Sequence, residues 1–137
     1  MSDNTDLAIR LMRSLETDRK FWFENMSDDI KLEFPYAKSV GMPSHVAGRE
    51  NVEAYLNGVF AMVAGLRFRE MTAYAMADSD MVLLTYKGLS DPPGRPVYDQ
   101  DYVTIMRFKS GRIVLFREYW DTTIVRDALG DVIAKMG

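Results

Sequence analysis

Apolar residues first recur at helical spacing near the start of the chain. They lie three or four residues apart, at Leu7, Ala8, Leu11, Met12 and Leu15. A shorter apolar cluster follows the polar residues 16–18, at Phe21, Trp22, Phe23 and Met26. Because an α-helix repeats every 3.6 residues, this pattern predicts two consecutive helices.

A period of two begins at Ile30. Ile30, Leu32 and Phe34 alternate with charged residues before Pro35, which predicts a short strand that ends at the proline. Residues 36–48 contain two glycines and a proline and predict a loop.

The clearest helical periodicity lies between residues 52 and 63. Its apolar positions are Val52, Tyr55, Leu56, Val59, Phe60 and Val63. The pattern stops at Gly65, a residue typical of helix ends. It predicts a helix that packs on the core.

The second half of the chain is dominated by strand patterns. Strands are predicted over residues 66–76, 81–86, 97–108 and 113–120, with a Pro/Gly-rich loop at 88–96 and a hairpin turn at 109–112. A final helix is predicted from Val125, Ala128, Leu129, Val132, Ile133 and Met136, with Asp121, Thr122 or Thr123 as its cap.

This order of elements predicts an α+β fold. A curved antiparallel sheet would carry helices on its concave face, in a single domain covering residues 1–137. Such an arrangement leaves an apolar cavity between the helices and the sheet, and cavities of this kind commonly bind small molecules.

Composition narrows the possible chemistry. The chain has 137 residues, a net charge of −3, one His and no Cys, which excludes zinc fingers, thiol nucleophiles and disulfide scaffolds. It contains no phosphate-binding loop or dinucleotide fingerprint, so we expect neither a cofactor nor a metal. The scattered basic residues argue against a nucleic-acid partner. Without a long apolar stretch or a leader, we expect no membrane partner and a cytoplasmic protein.

The register of the last hairpin decides which side chains share a face. A three-residue loop with Gly111 in the left-handed conformation would pair Tyr102 with Glu118 and Thr104 with Phe116. One face would then carry Gln100, Tyr102, Thr104, Met106, Val114, Phe116, Glu118 and Trp120. The opposite face would carry Asp101, Val103, Ile105, Ile113, Leu115, Arg117, Tyr119 and Asp121. A two-residue loop would give a different pairing.

Glu118 is the main candidate for chemistry. In this register it is the one carboxylate among aromatic and apolar neighbours, and desolvation there would keep it partly protonated near neutral pH. A buried glutamate that serves only structure is the alternative. His45 would lie in the loop at the cavity mouth, as a base, a substrate-orienting group or a solvated histidine without a role. Aromatic residues on these strands could line a pocket or simply fill the core: Tyr98, Tyr102, Phe116, Tyr119 and Trp120.

Several segments together resemble a known family. They are residues 28–35 (DDIKLEFP), 48–56 (GRENVEAYL), 106–114 (MRFKSGRIV) and 117–121 (REYWD). The chain resembles the SnoaL-like branch of the nuclear transport factor 2-like superfamily along nearly its whole length. This resemblance implies a cone-shaped α+β barrel, a deep pocket and frequent dimerisation through the sheet. It leaves the chemistry open, because the superfamily includes isomerases, cyclases, dehydratases, epoxide hydrolases and non-catalytic binders.

The resemblance to ketosteroid isomerases fails at their reactive positions. Phe34 stands where that family has its general base, Thr104 where it has an oxyanion-stabilising Asp, and Arg10 near its helix-one Tyr. The tryptophan of the last strand is matched by Trp120. Steroid isomerisation by that mechanism is therefore not expected.

Two other branches suggest an acid/base on the last strand. The ending of the chain resembles the phenazine-biosynthesis A/B proteins, in which the glutamate that matches Glu118 lies in the pocket, although their helix histidine falls at Tyr55 here. In polyketide cyclases an Asp late in the last strand has this role, which could correspond to Asp121.

We therefore expect a cofactor-free isomerase, cyclase, dehydratase or hydrolase that acts on a hydrophobic, ring-containing molecule. The expected catalytic residues are Glu118, Tyr102, Tyr55 and His45. The expected ligand-binding residues are Phe34, Tyr36, Gln100, Thr104, Met106, Phe116 and Trp120. A non-catalytic binding or dimerising accessory protein with the same pocket is the alternative. The apolar outer face at Val103, Ile105, Ile113 and Leu115 also predicts a homodimer.

Overall fold

A computed structural model describes residues 3–136 of the chain. Its helices are α1 (Asp3–Thr17), α2 (Arg19–Glu24), α3 (Arg49–Met62) and α4 (Thr122–Met136). Its strands are β1 (Met26–Glu33), β2 (His45–Ala47), β3 (Arg67–Ala75), β4 (Met81–Ser90), β5 (Tyr98–Lys109) and β6 (Arg112–Trp120). The α+β fold with a curved sheet is confirmed.

The six strands form one sheet in the order β2-β1-β6-β5-β4-β3. Neighbouring strands are antiparallel except β1 and β6, which are parallel. The predicted antiparallel sheet is present, and this one parallel pair was not predicted. The predicted loop at 36–48 was also too simple, because it contains a 3₁₀ turn (Ala37–Val40) and the edge strand β2.

The β5–β6 hairpin has a two-residue turn and not the predicted three-residue loop. Lys109 pairs with Arg112, and the two turn residues, Ser110 and Gly111, both have positive φ, as a type I′ turn requires. The register then shifts by one residue between Arg107 and Phe108, because Val114 on β6 is an extra, unpaired residue. Val114 is thus a β-bulge.

This bulge determines which face of β6 points inward. A two-residue turn alone would place Arg117 opposite Thr104, whereas the extra residue places Glu118 there. The true register differs from the predicted one by two residues, so Phe116, Glu118 and Trp120 still share the inner face with Tyr102. The exception lies near the turn. Ile113 was predicted on the outer face, but it is fully buried and belongs to the core.

Helices α1, α3 and α4 cover the concave face of the sheet and bury one hydrophobic core. Helix α4 starts where β6 ends, and the Asp121 carboxylate accepts hydrogen bonds from the backbone N–H groups of Thr123 (2.8 Å) and Ile124 (3.3 Å). Of the three predicted caps, Asp121 is the one used. None of the helices described over residues 3–136 contains an apolar stretch of the length that a membrane span needs.

Candidate functional site

A cavity lies between the inner face of the sheet and helices α1, α3 and α4. Its empty volume is about 670 Å³, including the solvent at its open mouth. The sheet side and the segments beside it contribute Phe34, Met42, Leu66, Phe68, Tyr98, Tyr102, Phe116, Glu118 and Trp120. The helices and their ends contribute Leu15, Tyr55, Leu56, Val59, Phe60, Met62, Val63, Val125 and Leu129. Among the described residues, Glu118 is therefore the one carboxylate of an otherwise apolar and aromatic wall.

The apolar surroundings raise the pKa of Glu118 to about 7. Burial is the main cause, because it removes water from the charged form. The hydrogen bond from Tyr86 and the polar contact with the Trp120 side chain lower the pKa of Glu118, but they only partly offset the effect of burial. Near neutral pH the cavity therefore holds comparable amounts of carboxylate and carboxylic acid.

A chain of hydrogen bonds supports Glu118 from behind the cavity wall. The Tyr86 hydroxyl donates to Oε2 of Glu118 at 2.8 Å and lies 2.6 Å from the Thr104 hydroxyl. With the Tyr86 proton directed to Glu118, Thr104 is the donor to Tyr86. Thr104 is fully buried, so these contacts hold the carboxyl group in one orientation.

Two tyrosine hydroxyls of β5 face each other beside this chain. Those of Tyr98 and Tyr102 lie 2.9 Å apart, and the Tyr102 ring stacks on Tyr86 with centroids 4.9 Å apart. The stack needs a glycine next to it, because a Cβ on Gly88 would lie 2.7 Å from the Tyr102 ring. One of the two hydroxyls donates its proton to the other in this hydrogen bond. The proton of the second hydroxyl can therefore be donated to a ligand.

Tyr55 approaches the cavity from α3. Its ring lies against Phe34, with centroids 5.4 Å apart, and its hydroxyl bonds no other residue in the described part of the chain. Burial and the nearby Glu118 raise its pKa, so Tyr55 remains a neutral donor at physiological pH.

The expected site residues divide into two groups. The structure brings Glu118, Tyr102, Tyr55, Trp120, Phe116 and Phe34 to the cavity wall. Five other expected residues lie outside that wall: His45, Tyr36, Gln100, Thr104 and Met106.

These five residues lie outside the cavity wall for different reasons. His45 is exposed on the edge strand β2. Tyr36 is 56% exposed and packs against Tyr119 on the outer side, so Tyr119 also lies outside the predicted aromatic pocket. Thr104 and Met106 are fully buried beneath the wall.

Gln100 forms hydrogen bonds with the backbone and does not face the cavity. Its side-chain oxygen accepts from the backbone N–H of Asp101 and of Asp121, and its amide nitrogen donates to the Asp121 carbonyl, each at 3.0 Å. Gln100 therefore fastens β5 to the junction of β6 and α4. Because the Asp121 carboxylate caps α4, it is not available as the alternative acid/base of the cavity.

Tyr86 was not singled out from the sequence, and Tyr98 was named only as an aromatic residue that could line a pocket or fill the core. Both could be found from strand alternation: Tyr86 follows Val82 and Leu84 at a period of two, and Tyr98 precedes Gln100 and Tyr102 in the same way. The pairing of Tyr86 with Tyr102 across β4 and β5 brings them to one place. Over residues 3–136, no group of three His, Cys, Asp or Glu side chains is placed to hold a metal ion.

Comparison with known proteins agrees with this architecture. The SnoaL-like domain model matches residues 13–116. The uncharacterised protein YesE of Bacillus subtilis is 32% identical over 118 residues, covering 85% of this chain and 79% of the relative. An uncharacterised PhzA/B-like protein of Pseudomonas aeruginosa, PA3332, is 30% identical over 132 residues, covering 94% and 92%.

Solved structures show the same fold. The crystal structure of a Bacillus subtilis protein provisionally described as an isomerase superimposes with a TM-score of 0.79 at 27% identity, covering 92% of this chain and 94% of the other. Further structural neighbours include proteins described as polyketide cyclase-like and epoxide hydrolase/cyclase-like. The chain therefore belongs to the SnoaL-like family.

Proposed function

We propose that this protein is a small-molecule isomerase, cyclase or dehydratase-type enzyme in which Glu118 is the general acid/base. One observation carries the proposal: a single carboxyl group lies in an apolar cavity with its pKa raised to about 7. A group that titrates near the working pH can both accept and return a proton. The apolar and aromatic wall suits a hydrophobic, ring-containing substrate.

The simplest chemistry is a proton shift beside a carbonyl group. The Glu118 carboxylate removes a proton from a carbon next to the carbonyl, and the C–H electrons move into the enolate. The resulting carboxylic acid then returns the proton to another atom of the same molecule. Tyr55 and the Tyr98–Tyr102 pair can donate hydrogen bonds to the enolate oxygen. No cofactor is needed for this cycle.

The descriptions of two similar proteins support this choice of chemistry. A neighbour of the same fold is provisionally described as an isomerase, and a relative as PhzA/B-like. A non-catalytic binding protein is the second candidate. It is favoured by Phe34, which places a buried ring at the position of the isomerase base and packs it against Tyr55.

Deuterium exchange separates the two candidates. The cyclic ketone 2-tetralone would be incubated with the protein in D₂O, and loss of its acidic C–H signals followed by NMR. We expect acceleration over buffer that falls roughly 10²–10⁴-fold in Glu118→Gln. Glu33→Gln, which alters an outer-face carboxylate, is the matched control and should keep the wild-type rate. Equal rates in wild type and Glu118→Gln would contradict the assignment, and bound tetralone without acceleration would favour a binding protein.

We also propose a homodimer formed through the outer face of the sheet. Its apolar surface includes Tyr74 and Val103, 51% and 38% exposed, beside the half-buried Ile105 and Leu115. Exposed apolar side chains grouped on one face are typical of association surfaces. Sedimentation at micromolar concentration should give twice the chain mass of 15.7 kDa, and Val103→Asp should reduce it towards the monomer. A monomeric wild type would contradict the proposal.

A further inference from the structure

The cavity has an unbalanced charge. Its wall contains the carboxyl group of Glu118, and none of the described residues that line it is Arg, Lys or His. The cationic neighbour along β6, Arg117, points to the outer face, where it pairs with Glu33 at 2.7 Å. Burial and contacts with Tyr86 and Trp120, without any positive charge, determine the pKa of Glu118.

Within residues 3–136, the other titratable groups that face Glu118 are tyrosines. They are Tyr55 from α3, Tyr86 from β4, and Tyr98 and Tyr102 from β5. Burial is the first cause that raises each of their pKa values, to about 12 for Tyr98 and well above the ordinary value for Tyr86 and Tyr102. Helices α1 and α4 add only Leu15, Val125 and Leu129 to the wall. Between about pH 5 and pH 9, Glu118 is therefore the group of the wall that changes charge.

We propose that Glu118 makes the cavity selective for ligand charge: it accepts an uncharged ring compound and rejects one that carries a carboxylate or phosphate inside the cavity. A ligand anion beside an ionised Glu118 would face a like charge in a poorly solvated space without a cation to offset it. The tyrosine hydroxyls donate hydrogen bonds but carry no net charge. They can stabilise an enolate formed when Glu118 has just become neutral, whereas a permanent anion meets the ionised carboxylate.

The selectivity depends on pH. Below the pKa of Glu118 the neutral acid no longer repels an anion, so both kinds of ligand can enter. Above that pKa an uncharged ligand is still accepted, whereas an anion must first force Glu118 to take up a proton. This inference rests on the proposed function for the identity of the binding site, but it concerns binding and not turnover.

Two probes with the same ring test the proposal by titration calorimetry. The probes are 2-naphthol, uncharged at about pH 5.5 and about pH 8, and 2-naphthoate, ionised at both. We expect the affinity for 2-naphthol to change less than about threefold between these pH values, and that for 2-naphthoate to fall by up to about tenfold at the higher one, as the protonated fraction of Glu118 falls. In Glu118→Gln this fall should disappear, whereas Glu33→Gln should keep it.

Three results would overturn the proposal: 2-naphthoate binding as tightly as 2-naphthol to the wild type at about pH 8, the same fall in Glu118→Gln, or no binding of 2-naphthol at either pH. Failure here is distinguishable from failure of the proposed enzyme. Charge selection without any deuterium exchange would remove the catalytic role alone, and exchange without charge selection would remove this inference alone.

Discussion

Two consecutive residues of β6 have opposite environments. Arg117 points to the outer face and forms a 2.7 Å ion pair with Glu33, and both side chains are 32% exposed. Glu118 points to the cavity, where Tyr86 donates a hydrogen bond to it and none of the described wall residues is a cation. On the outer face, the charge of Arg117 is therefore balanced by Glu33. In the cavity, the charge of Glu118 can be removed only by protonation of its carboxylate.

This difference shows that the chemistry of a strand residue is determined by its face. A carboxylate on the outer face has water and a cation, and an exposed pair of this kind contributes little to stability. Glu118, on the inner face, is surrounded by apolar and aromatic side chains without a cation, which shifts its titration into the range that acid/base catalysis uses. Because Val114 is unpaired, Glu118 lies opposite Thr104 on the inner face and Arg117 lies on the outer face.

The largest effect should come from shifting β6 by one residue beyond the bulge. Insertion of an alanine between Leu115 and Phe116 would place Arg117 opposite Thr104, which turns Arg117 into the cavity and Glu118 towards solvent. Because this buries an unpaired cation, we expect a loss of about 4 kcal/mol or more of unfolding free energy, measured by urea denaturation. Deletion of Val114 is the control: it removes the bulge but leaves Glu118 opposite Thr104, so it should cost less. An insertion variant as stable as the deletion variant would contradict the assignment of the two faces.

The second effect concerns stability against pH. The pKa of Glu118 is raised from 4.5 to about 7 in the folded protein, so the folded state binds more protons than the unfolded state between these values. The resulting stability is present below about pH 4.5 and is lost as the pH rises through 7, by up to about 3 kcal/mol. Denaturation curves should show this loss in the wild type and in Glu33→Gln, but not in Glu118→Gln. Parallel pH profiles for wild type and Glu118→Gln would refute it.

Tyr86→Phe should have an intermediate effect. It removes a hydrogen bond that lowers the pKa of Glu118 and leaves the buried Thr104 hydroxyl without this partner. We expect a further rise in the pKa of Glu118 and a loss of about 2 kcal/mol of stability, followed by NMR titration and denaturation. Thr104→Val, which keeps the bond from Tyr86 to Glu118, is the control and should shift the pKa less. A lowered pKa in Tyr86→Phe would contradict the hydrogen-bond chain.

The smallest effect should come from the outer face. Glu33→Gln breaks the ion pair with Arg117, but both groups reach solvent. We expect a loss of less than about 1 kcal/mol, smaller still at high salt, because exposed ion pairs are weak and screened. A loss of several kcal/mol would mean that the two faces of β6 do not differ as described.

Much of the inner face could be predicted from the sequence. Alternation along β5 and β6 placed Tyr102, Phe116, Glu118 and Trp120 on one side, because side-chain direction depends only on whether a residue number is odd or even within a continuous strand. The predicted turn was one residue too long and the bulge was not predicted. These two errors shifted the register by two residues, so the face remained right while every partner was wrong.

The segments that depend on distant contacts could not be predicted. His45 and Tyr36 were expected near the cavity because their segment was treated as a free loop. Backbone pairing of β2 with β1 instead holds His45 at the sheet edge, and Tyr36 packs on Tyr119. The hydrogen bonds from Thr104 through Tyr86 to Glu118 join three strands, so their existence depends on sheet order and not on local pattern.

Both the acid/base role and the charge selection depend on the titration of Glu118. Its side-chain carboxyl carbon can be followed by NMR in ¹³C-labelled protein across the pH range, with Glu118→Gln to assign the signal and Glu33 as an internal comparison. We expect a midpoint near 7 for Glu118. A midpoint near 4.3, the ordinary value for a glutamate in water, would mean that the carboxylate is solvated, and would contradict both the acid/base role and the charge selection assigned to this cavity.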